Sequence, residues 1–430
     1  MTKILILGGG FGGIRWALVL SRLLHNRGSS IPLESGDKKF KGQVQITLVD
    51  RNSYHLFLPS LYEVASAYGV KKDRFEVKMR KTICIPYGSI FKGKNIDFIQ
   101  AEVSTVDLKA RNVRTKGGEI LFYDYLVVAL GSQTADFGIP GVKEYAYQFK
   151  NIEDAIAVNE KIEKLTKKTV SGEKIDPLKI LIGGAGFTGI ELAAELSCCI
   201  KKMANNYNIK EKYFQVTLIE AGPKILPMVS NSERKIISKR LTELGVVLME
   251  NSPIEEVGAD FVKLKSGQTL EGDIVVWTAG IKANEFLRNV VGLPLTDQGK
   301  VMIDDNLQVQ GWKNVFAVGD NQEFVDPKTQ KPVPALAYTA VDQGKVVAGN
   351  IFNHMYGKKL KPYKPFYGIW IAPVGGKFAL AHLWGGWGIS GFTGWLVREL
   401  VDLRYLISIL SLGEALSIFW QEMTMFTKND

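Results

Sequence analysis

Two patterns alternate along this chain. Short, continuous apolar runs mark strands buried on both faces. Longer stretches with apolar residues every three to four positions mark helices. Ile4 to Leu7 is the first apolar run, followed by the glycine-dense turn Gly8-Gly9-Gly10-Phe11-Gly12-Gly13. A helical pattern begins at Ile14, with Trp16, Ala17, Leu20 and Leu24 on one side. Asn26 to Gln43 is polar and charged and reads as a surface insertion before a strand at Val44 to Val49. Leu61 to Ala67 predicts a short helix. Ile96 to Ile99, Glu102 to Leu108, Asn112 to Thr115 and Ile120 to Phe122 predict a strand meander, and Tyr125 to Ala129 a buried strand.

The same order then repeats. Ile152 to Leu165 is helical, Lys167 to Asp176 a polar linker, and Lys179 to Ile182 a strand. A second glycine turn, Gly183-Gly184-Ala185-Gly186-Phe187-Thr188-Gly189, leads into a helix from Ile190 and a strand at Val216 to Ile219. Strands recur at Phe261 to Leu264, Ile274 to Trp277 and Val315 to Asp320. A helix is predicted over Ala335 to Ile351, and mixed strand and loop over Tyr363 to Leu383. The fold class is α/β, with two Rossmann-like dinucleotide-binding domains. The boundaries fall at 1–150 and 281–365 for the two parts of the first domain and 151–280 for the second. Residues 366–430 form a C-terminal segment.

Each glycine turn carries G-x-G-x-x-G between a strand and a helix, which is the context that gives the spacing its meaning. Gly8 permits the turn, Gly10 lets the backbone approach a pyrophosphate, and Gly13 lets helix and strand pack closely. The helix N-terminus offers unpaired N–H groups to phosphates. An acid closes each following strand: Asp50 in the first copy, Glu220 in the second, placed to bind ribose hydroxyls. The structural alternatives are a glycine-rich turn and a solvated strand-end acid. Two nucleotide sites in one chain suit electron transfer between a tightly held flavin and an exchangeable nicotinamide. The first unit is expected to hold FAD, because its Gly319-Asp320 end can reach the flavin side. The second is expected to hold NADH, with Glu220 repelling the 2′-phosphate of NADPH. Glu191, just after the second glycine turn, reads either as a carboxylate stabilised by a helix dipole or as a group facing the nicotinamide–flavin junction.

Composition narrows this reading. A chain of 430 residues with 46% hydrophobic content can build more than one core. The three cysteines, Cys84, Cys198 and Cys199, form no C-x-x-C pair, so neither a disulfide framework nor a metal site is expected. The first strand starts too near Met1 to leave room for a leader peptide, and no apolar run reaches the roughly 18 residues of a membrane span. The net charge of +10 suits an anionic membrane or anionic cofactors; no nucleic-acid module stands out.

In the last stretch, Leu396, Leu400, Leu403, Ile407 and Leu410 form one helical stripe with Arg398 opposite, and Leu416, Phe419, Trp420 and Met423 mark a second helix. Trp384, Trp387, Trp395 and Trp420 concentrate here. Glu399, Asp402 and Arg404 exclude a span, so the pair reads as amphipathic helices in the plane of a membrane surface. Lys358, Lys359, Lys361 and Lys364 stand just before them, ready for anionic headgroups. The alternative is a core or homodimer interface.

The stretches Ile4–Gly13, Ile46–Pro59, Tyr123–Ser132, Ile182–Glu195, Val216–Leu226, Val275–Ile281 and Asn314–Gln322 together resemble the two-dinucleotide-domain flavoproteins. They are most similar to type II NADH dehydrogenases, the non-pumping NADH:quinone oxidoreductases. The resemblance implies a flavoenzyme that oxidises NADH at non-covalent FAD and reduces a lipid quinone, attached peripherally to the cytoplasmic face of the cell membrane. It implies cofactor contacts from Gly8, Gly10, Phe11, Gly12, Gly13, Asp50, Arg51, Val103, Ala129, Gly131, Gly319, Asp320 and Ala337 on the FAD side. On the NAD side it implies Gly184, Gly186, Phe187, Thr188, Gly189, Glu220, Ala279 and Gly280. Glu191 is implied near nicotinamide and flavin, and Lys377 matches a basic position near the quinone. Where that family carries Ala-Gln-x-Ala-x-Gln, this chain has Ala337-Tyr338-Thr339-Ala340-Val341-Asp342, with Gln343 beside it. Tyr338 and Asp342 therefore become the acceptor-site candidates, and Ala337-Tyr338-x-Ala resembles the apoptosis-inducing-factor-like quinone reductases. A sulfide:quinone oxidoreductase needs redox cysteines near the flavin, which Cys84, Cys198 and Cys199 do not suit. A slow, redox-gated binding protein is the other alternative.

Overall fold

The structure, a computed structural model, describes residues 1–28, 43–67, 75–208, 210, 213–383, 386 and 388–426. Most of the expected surface insertion, together with Trp384 and Trp387, lies outside the described residues. The chain divides into two compact units: Met1–His55, Ile85–Gln133 and Lys282–Tyr367 form the first, and Leu56–Cys84, Thr134–Ile281 and Gly368–Asp430 the second. Thus 56–84 and the C-terminal segment pack with the second unit, a membership that sequence order does not reveal.

The first unit is built on a five-stranded parallel sheet in the order Val315–Ala317, Tyr125–Val128, Thr2–Leu7, Val44–Asp50, Asp97–Gln100. The first strand is central because its residues Ile4 to Leu7 are buried on both faces. Helices Phe11–Gly28 and Ala337–Met355 cross at two glycines: a Cβ at Gly344 would stand 2.5 Å from the Gly12 carbonyl oxygen. A second core joins Leu5, Leu7, Val49 and Val128 to the meander residues Val106 and Val113.

The second unit repeats the plan with four parallel strands, Val247–Met249, Phe214–Ile219, Leu178–Gly183 and Ile274–Trp277. Its C-terminal part is an antiparallel sheet of Trp370–Pro373, Ala379–His382 and Gly388–Gly391, followed by helices Phe392–Ile409 and Leu412–Phe426.

Several boundaries differ from expectation. Both glycine-loop helices start earlier, at Phe11 and Phe187 rather than Ile14 and Ile190. The last glycines of each turn are already helical, since Ile14 N–H donates to the Gly10 carbonyl at 3.0 Å. The helix from Ile152 runs on to Val170 through the first four residues of the expected linker; Lys167 there pairs with Glu163 one turn back. The strand expected to reach Asp320 ends at Ala317, because Gly319 turns with φ +79° into a 3₁₀ segment, Gly319–Asn321. The next helix begins at Ala337, after extended Leu336, so Ala335 lies outside it, and it runs on past Ile351 to Met355.

Candidate functional site

The two glycine loops fold as near copies. Gly8 and Gly184 have φ of +102° and +101°, which favours glycine. A Cβ on Gly13 would stand 2.1 Å from the Gly8 carbonyl oxygen, and one on Gly189 2.0 Å from that of Gly184. Each loop is tied to the neighbouring strand, Gly8 N–H to Val49 O at 2.9 Å and Gly184 N–H to Ile219 O at 2.7 Å. Each strand-end acid then reaches back to its loop. Asp50 accepts from Gly9 N–H at 2.7 Å and from Asn52 N–H at 2.8 Å. Glu220 accepts from Ala185 N–H and from Gly222 N–H, both at 2.8 Å. Gly10 and Gly186 face open space. A polar, phosphate-bearing chain fits above such glycines, and a ribose fits beside such acids.

In the first unit, burial lifts the Asp50 pKa, opposed by the Gly9 and Asn52 amides and the Tyr87 hydroxyl. Phe11 opens the helix with its ring edge-on to His55 at 4.8 Å. Arg51 is exposed beside Asp50, Val103 starts the meander, and Ala129 is buried at the end of its strand. Across the strand ends, Gly131 N–H donates to Asn321 Oδ1 at 3.0 Å and Ser132 Oγ to Asp320 Oδ2 at 2.7 Å. Gln343 is buried and accepts from Gly319 N–H at 2.7 Å. It therefore pins the Gly-Asp turn from the opposite side of its helix to Tyr338. Asn321, Ser132 and Gln343 were not foreseen; only the proximity of Gln343 to the glutamine motif hinted at one of them.

Tyr338 is 47% exposed, its ring 6.2 Å from that of Phe366. Asp342 stands one turn on, 3.7 Å from Lys345. Ala337 begins the helix and Ala340 is buried beneath.

In the second unit Phe187 and Thr188 open the helix, and the Phe187 ring lies 5.4 Å from Trp370. Ala279 and Gly280 follow the last strand, with Ala279 packed against Gly184. A cleft of about 490 Å³ opens beside Glu220, lined also by Lys224, Ser230, Asn231 and Arg234.

Glu191 lies in the second turn of its helix, so the helix-dipole reading does not apply. Burial pushes its pKa up to about 8, with Asp402 adding to the rise and Arg398 opposing it. That surrounding was not legible. Arg398 is buried among Glu63 at 2.8 Å, Glu399 at 2.7 Å and Asp402 at 3.1 Å. Its Nη2 also donates to Ser60 Oγ at 3.1 Å, and Ser60 donates to Glu422 at 2.6 Å. Lys377 is exposed in the turn between two strands of the C-terminal sheet.

The tail helices bury charged residues alongside Trp395, Leu406 and Ile409. Arg398, Glu399, Asp402 and Glu422 are buried, while Phe392, Leu396, Leu400, Leu412, Leu416 and Trp420 are exposed, Trp420 at 70%. Among the described residues no helix is long and apolar enough to cross a membrane. Cys84, Cys198 and Cys199 are all buried free thiols.

The profile of the family described as "Pyridine nucleotide-disulphide oxidoreductase" matches residues 2–344. The type II NADH:quinone oxidoreductase of Staphylococcus haemolyticus is 30% identical over 418 residues, covering 96% of this chain and 97% of its own. That of Staphylococcus aureus (strain NCTC 8325 / PS 47) is 29% identical over 420 residues, with the same coverage of 96% and 97%. In fold, the chain is similar to NDH2 from Plasmodium falciparum in complex with NADH, with a TM-score of 0.81, 19% identity and 99% of each chain covered. It is also similar to the sulfide:quinone oxidoreductase of Aquifex aeolicus, with a TM-score of 0.75 and 20% identity over 96% of this chain and 92% of that one. A glycine loop, a strand-end acid and a helix repeated in two units, with relatives matched end to end, mean that this chain belongs to the pyridine nucleotide-disulphide oxidoreductases and, within them, to the type II NADH:quinone oxidoreductases.

Proposed function

We propose that the first glycine loop, with Asp50, Gly131 and Asp320, holds FAD, that the second, with Glu220, holds NADH, and that Tyr338 shapes the site of a lipid quinone. The observation that carries this reading is the repeated loop–acid hydrogen bond, Gly9 to Asp50 and Ala185 to Glu220. FAD supplies, when bound, acceptance of a hydride from NADH and its return as two electrons to quinone. The protein's own part is positional. Asp320, held by Ser132, is set to bind hydroxyls or to orient the isoalloxazine side, and small Ala337 and Ala340 leave room for a flat ring. Tyr338 can stack on a quinone or donate to its carbonyl; Asp342 can serve a proton relay or cap a neighbouring loop. Glu191, with its pKa near neutrality, is suited to exchange protons as quinone is reduced, and Lys377 to attract the reduced anion. The exposed apolar side of the tail helices supports peripheral attachment to a membrane, assigned here to its cytoplasmic face. Pairing of two copies through this side is the second use open to it.

The purified protein should be yellow, bleach with NADH and recover its colour with quinone. Tyr338→Ala should slow recovery by about tenfold, the scale of one lost hydrogen bond, while bleaching by NADH stays near wild type. Slowed bleaching with normal recovery would put Tyr338 on the nicotinamide side and overturn the assignment.

A further inference from the structure

Both peptides of Gly9 are held. Its N–H is taken by Asp50. Its carbonyl accepts two side-chain donors, Tyr87 Oη at 3.0 Å and His55 Nδ1 at 3.1 Å. A carbonyl only accepts, so His55 must carry its proton on Nδ1. Burial lowers the His55 pKa to about 4, with Gly9 opposing, so the ring stays neutral and keeps that tautomer. Phe11 packs edge-on against the ring, and Tyr87 packs against Phe98 at 4.7 Å. Gly9 has no room for anything larger, since a Cβ there would stand 2.0 Å from the Tyr87 hydroxyl oxygen.

In a trans peptide the carbonyl and the following N–H point opposite ways. Fixing the Gly9 carbonyl inward therefore fixes the Gly10 N–H outward. Gly10 is exposed, and a Cβ there would meet no atom within 4 Å. The second unit holds the equivalent carbonyl differently: Ala185 O accepts one backbone N–H, from Leu226 at 3.2 Å. The first loop thus has a two-side-chain clamp where the second has a single backbone bond. This contrast matches a retained cofactor in one unit and an exchangeable one in the other.

We propose that His55 and Tyr87 are positioning residues that clamp the Gly9 carbonyl so that the Gly10 N–H is held toward the pyrophosphate of FAD, and that this clamp sets how tightly FAD is retained. The proposal rests on the assignment of FAD to the first unit. Each donor covers for the other, so the second one lost leaves a buried carbonyl without a donor and weakens binding more than the first.

The test is FAD release and rebinding in Tyr87→Phe, His55→Leu, the double variant and His55→Asn, followed by flavin fluorescence, with NADH affinity measured on the same preparations. Asparagine places its amide nitrogen where Nδ1 stands and restores the donor. Each single loss should weaken FAD retention by about tenfold, the scale of one hydrogen bond to a buried acceptor. The double variant should exceed the product of the singles. His55→Asn should return to near wild type, and NADH affinity should not move. Unchanged retention in the double variant would overturn the proposal. So would His55→Asn as weak as His55→Leu, since shape rather than the donor would then matter. Tyr87→Phe removes one oxygen and keeps the ring, so unchanged retention in it overturns the proposal even if a His55 variant does not fold; because that hydroxyl also bonds Asp50, weaker retention supports the clamp only when His55→Leu weakens it too and His55→Asn restores it. A wild-type protein that takes up no FAD would instead overturn the assignment beneath the proposal.

Discussion

Glu220 has both carboxylate oxygens on backbone amides, yet a carboxylate offers about four acceptor sites, which leaves capacity for two ribose hydroxyls. Two cations line the same cleft and could in principle favour a 2′-phosphate. Arg234 is not disposed to do so. Its guanidinium donates to the carbonyls of Ile225, Leu226 and Val229 and to Asn231 Oδ1, at 2.6–3.1 Å. It braces the loop rather than facing a ligand. Lys224 is exposed, where an added phosphate contact would be screened. NADH should therefore be preferred to NADPH, and Glu220→Gln should narrow the ratio of kcat/KM by about 1–3 kcal/mol, the scale of hydrogen bonds to a charged group. Lys224→Ala should leave the ratio within about threefold, as expected for an exposed charge. A wild-type enzyme equally efficient with NADPH would end this account of Glu220.

The tail helix Phe392–Ile409 shows what periodicity can and cannot say about an element. The spacing of Leu396, Leu400 and Ile407 located a helix and its apolar stripe, but the usual rule would bury that stripe. Here the other face is buried, with Trp395, Leu406 and Ile409 beside one cation and four carboxyls. The partners that make this possible are far away in sequence: Ser60 meets Glu422 across 362 positions. Separations of 46 and 78 positions from Gly9 likewise hid the His55–Tyr87 clamp. The glycine loops were legible because strand, turn, helix and acid each follow from local chemistry. Four carboxyls around Arg398 cannot all be charged at low cost. Burial raises Asp402 to about 6 and Glu422 to about 7, with Arg398 opposing both. A carboxyl whose folded pKa is raised contributes stability fully below its unfolded value, near 4, and loses that contribution as pH rises through the folded pKa. Folding stability should thus fall between about pH 4 and pH 7, from the unfolded values up to the raised folded ones. Glu422→Gln, which can still accept from Ser60, should flatten that fall. It should leave stability at pH 4 little changed and raise it at pH 8 by up to about 3 kcal/mol, the limit set by a shift of this size. Denaturant unfolding of the two proteins at both pH values checks this; an unchanged slope in the variant would remove Glu422 from the coupled cluster.

At the scale of the whole molecule the question is what covers the outward face of the tail. Phe392, Leu396, Leu400, Leu412, Leu416 and Trp420 expose apolar side chains on two consecutive helices, more than a scatter of single surface residues requires. Deleting the tail is a poor test. It removes Arg398, which would leave Glu63 buried without its cation, and loss of activity would then report a broken core. Leu400→Glu with Trp420→Glu is cleaner, because these residues are 57% and 70% exposed and take no part in the charge cluster. Each large apolar side chain transferred from water is worth about 1.5–3 kcal/mol, so the double change should lower the partition onto vesicles by about a hundredfold or more. The wild-type protein should sediment with vesicles of zwitterionic lipid and more strongly when anionic lipid is added, since the chain carries a net charge of +10 and exposed Lys358, Lys359, Lys361 and Lys364. The variant should stay in solution, keep its flavin and reduce a water-soluble quinone at the wild-type rate, while losing turnover with a quinone dissolved in the vesicles. If it still sediments, the tail is not the anchor. If the wild type is a dimer in solution and the variant a monomer, with vesicle binding unchanged, this face joins two copies of the chain and the membrane is met elsewhere.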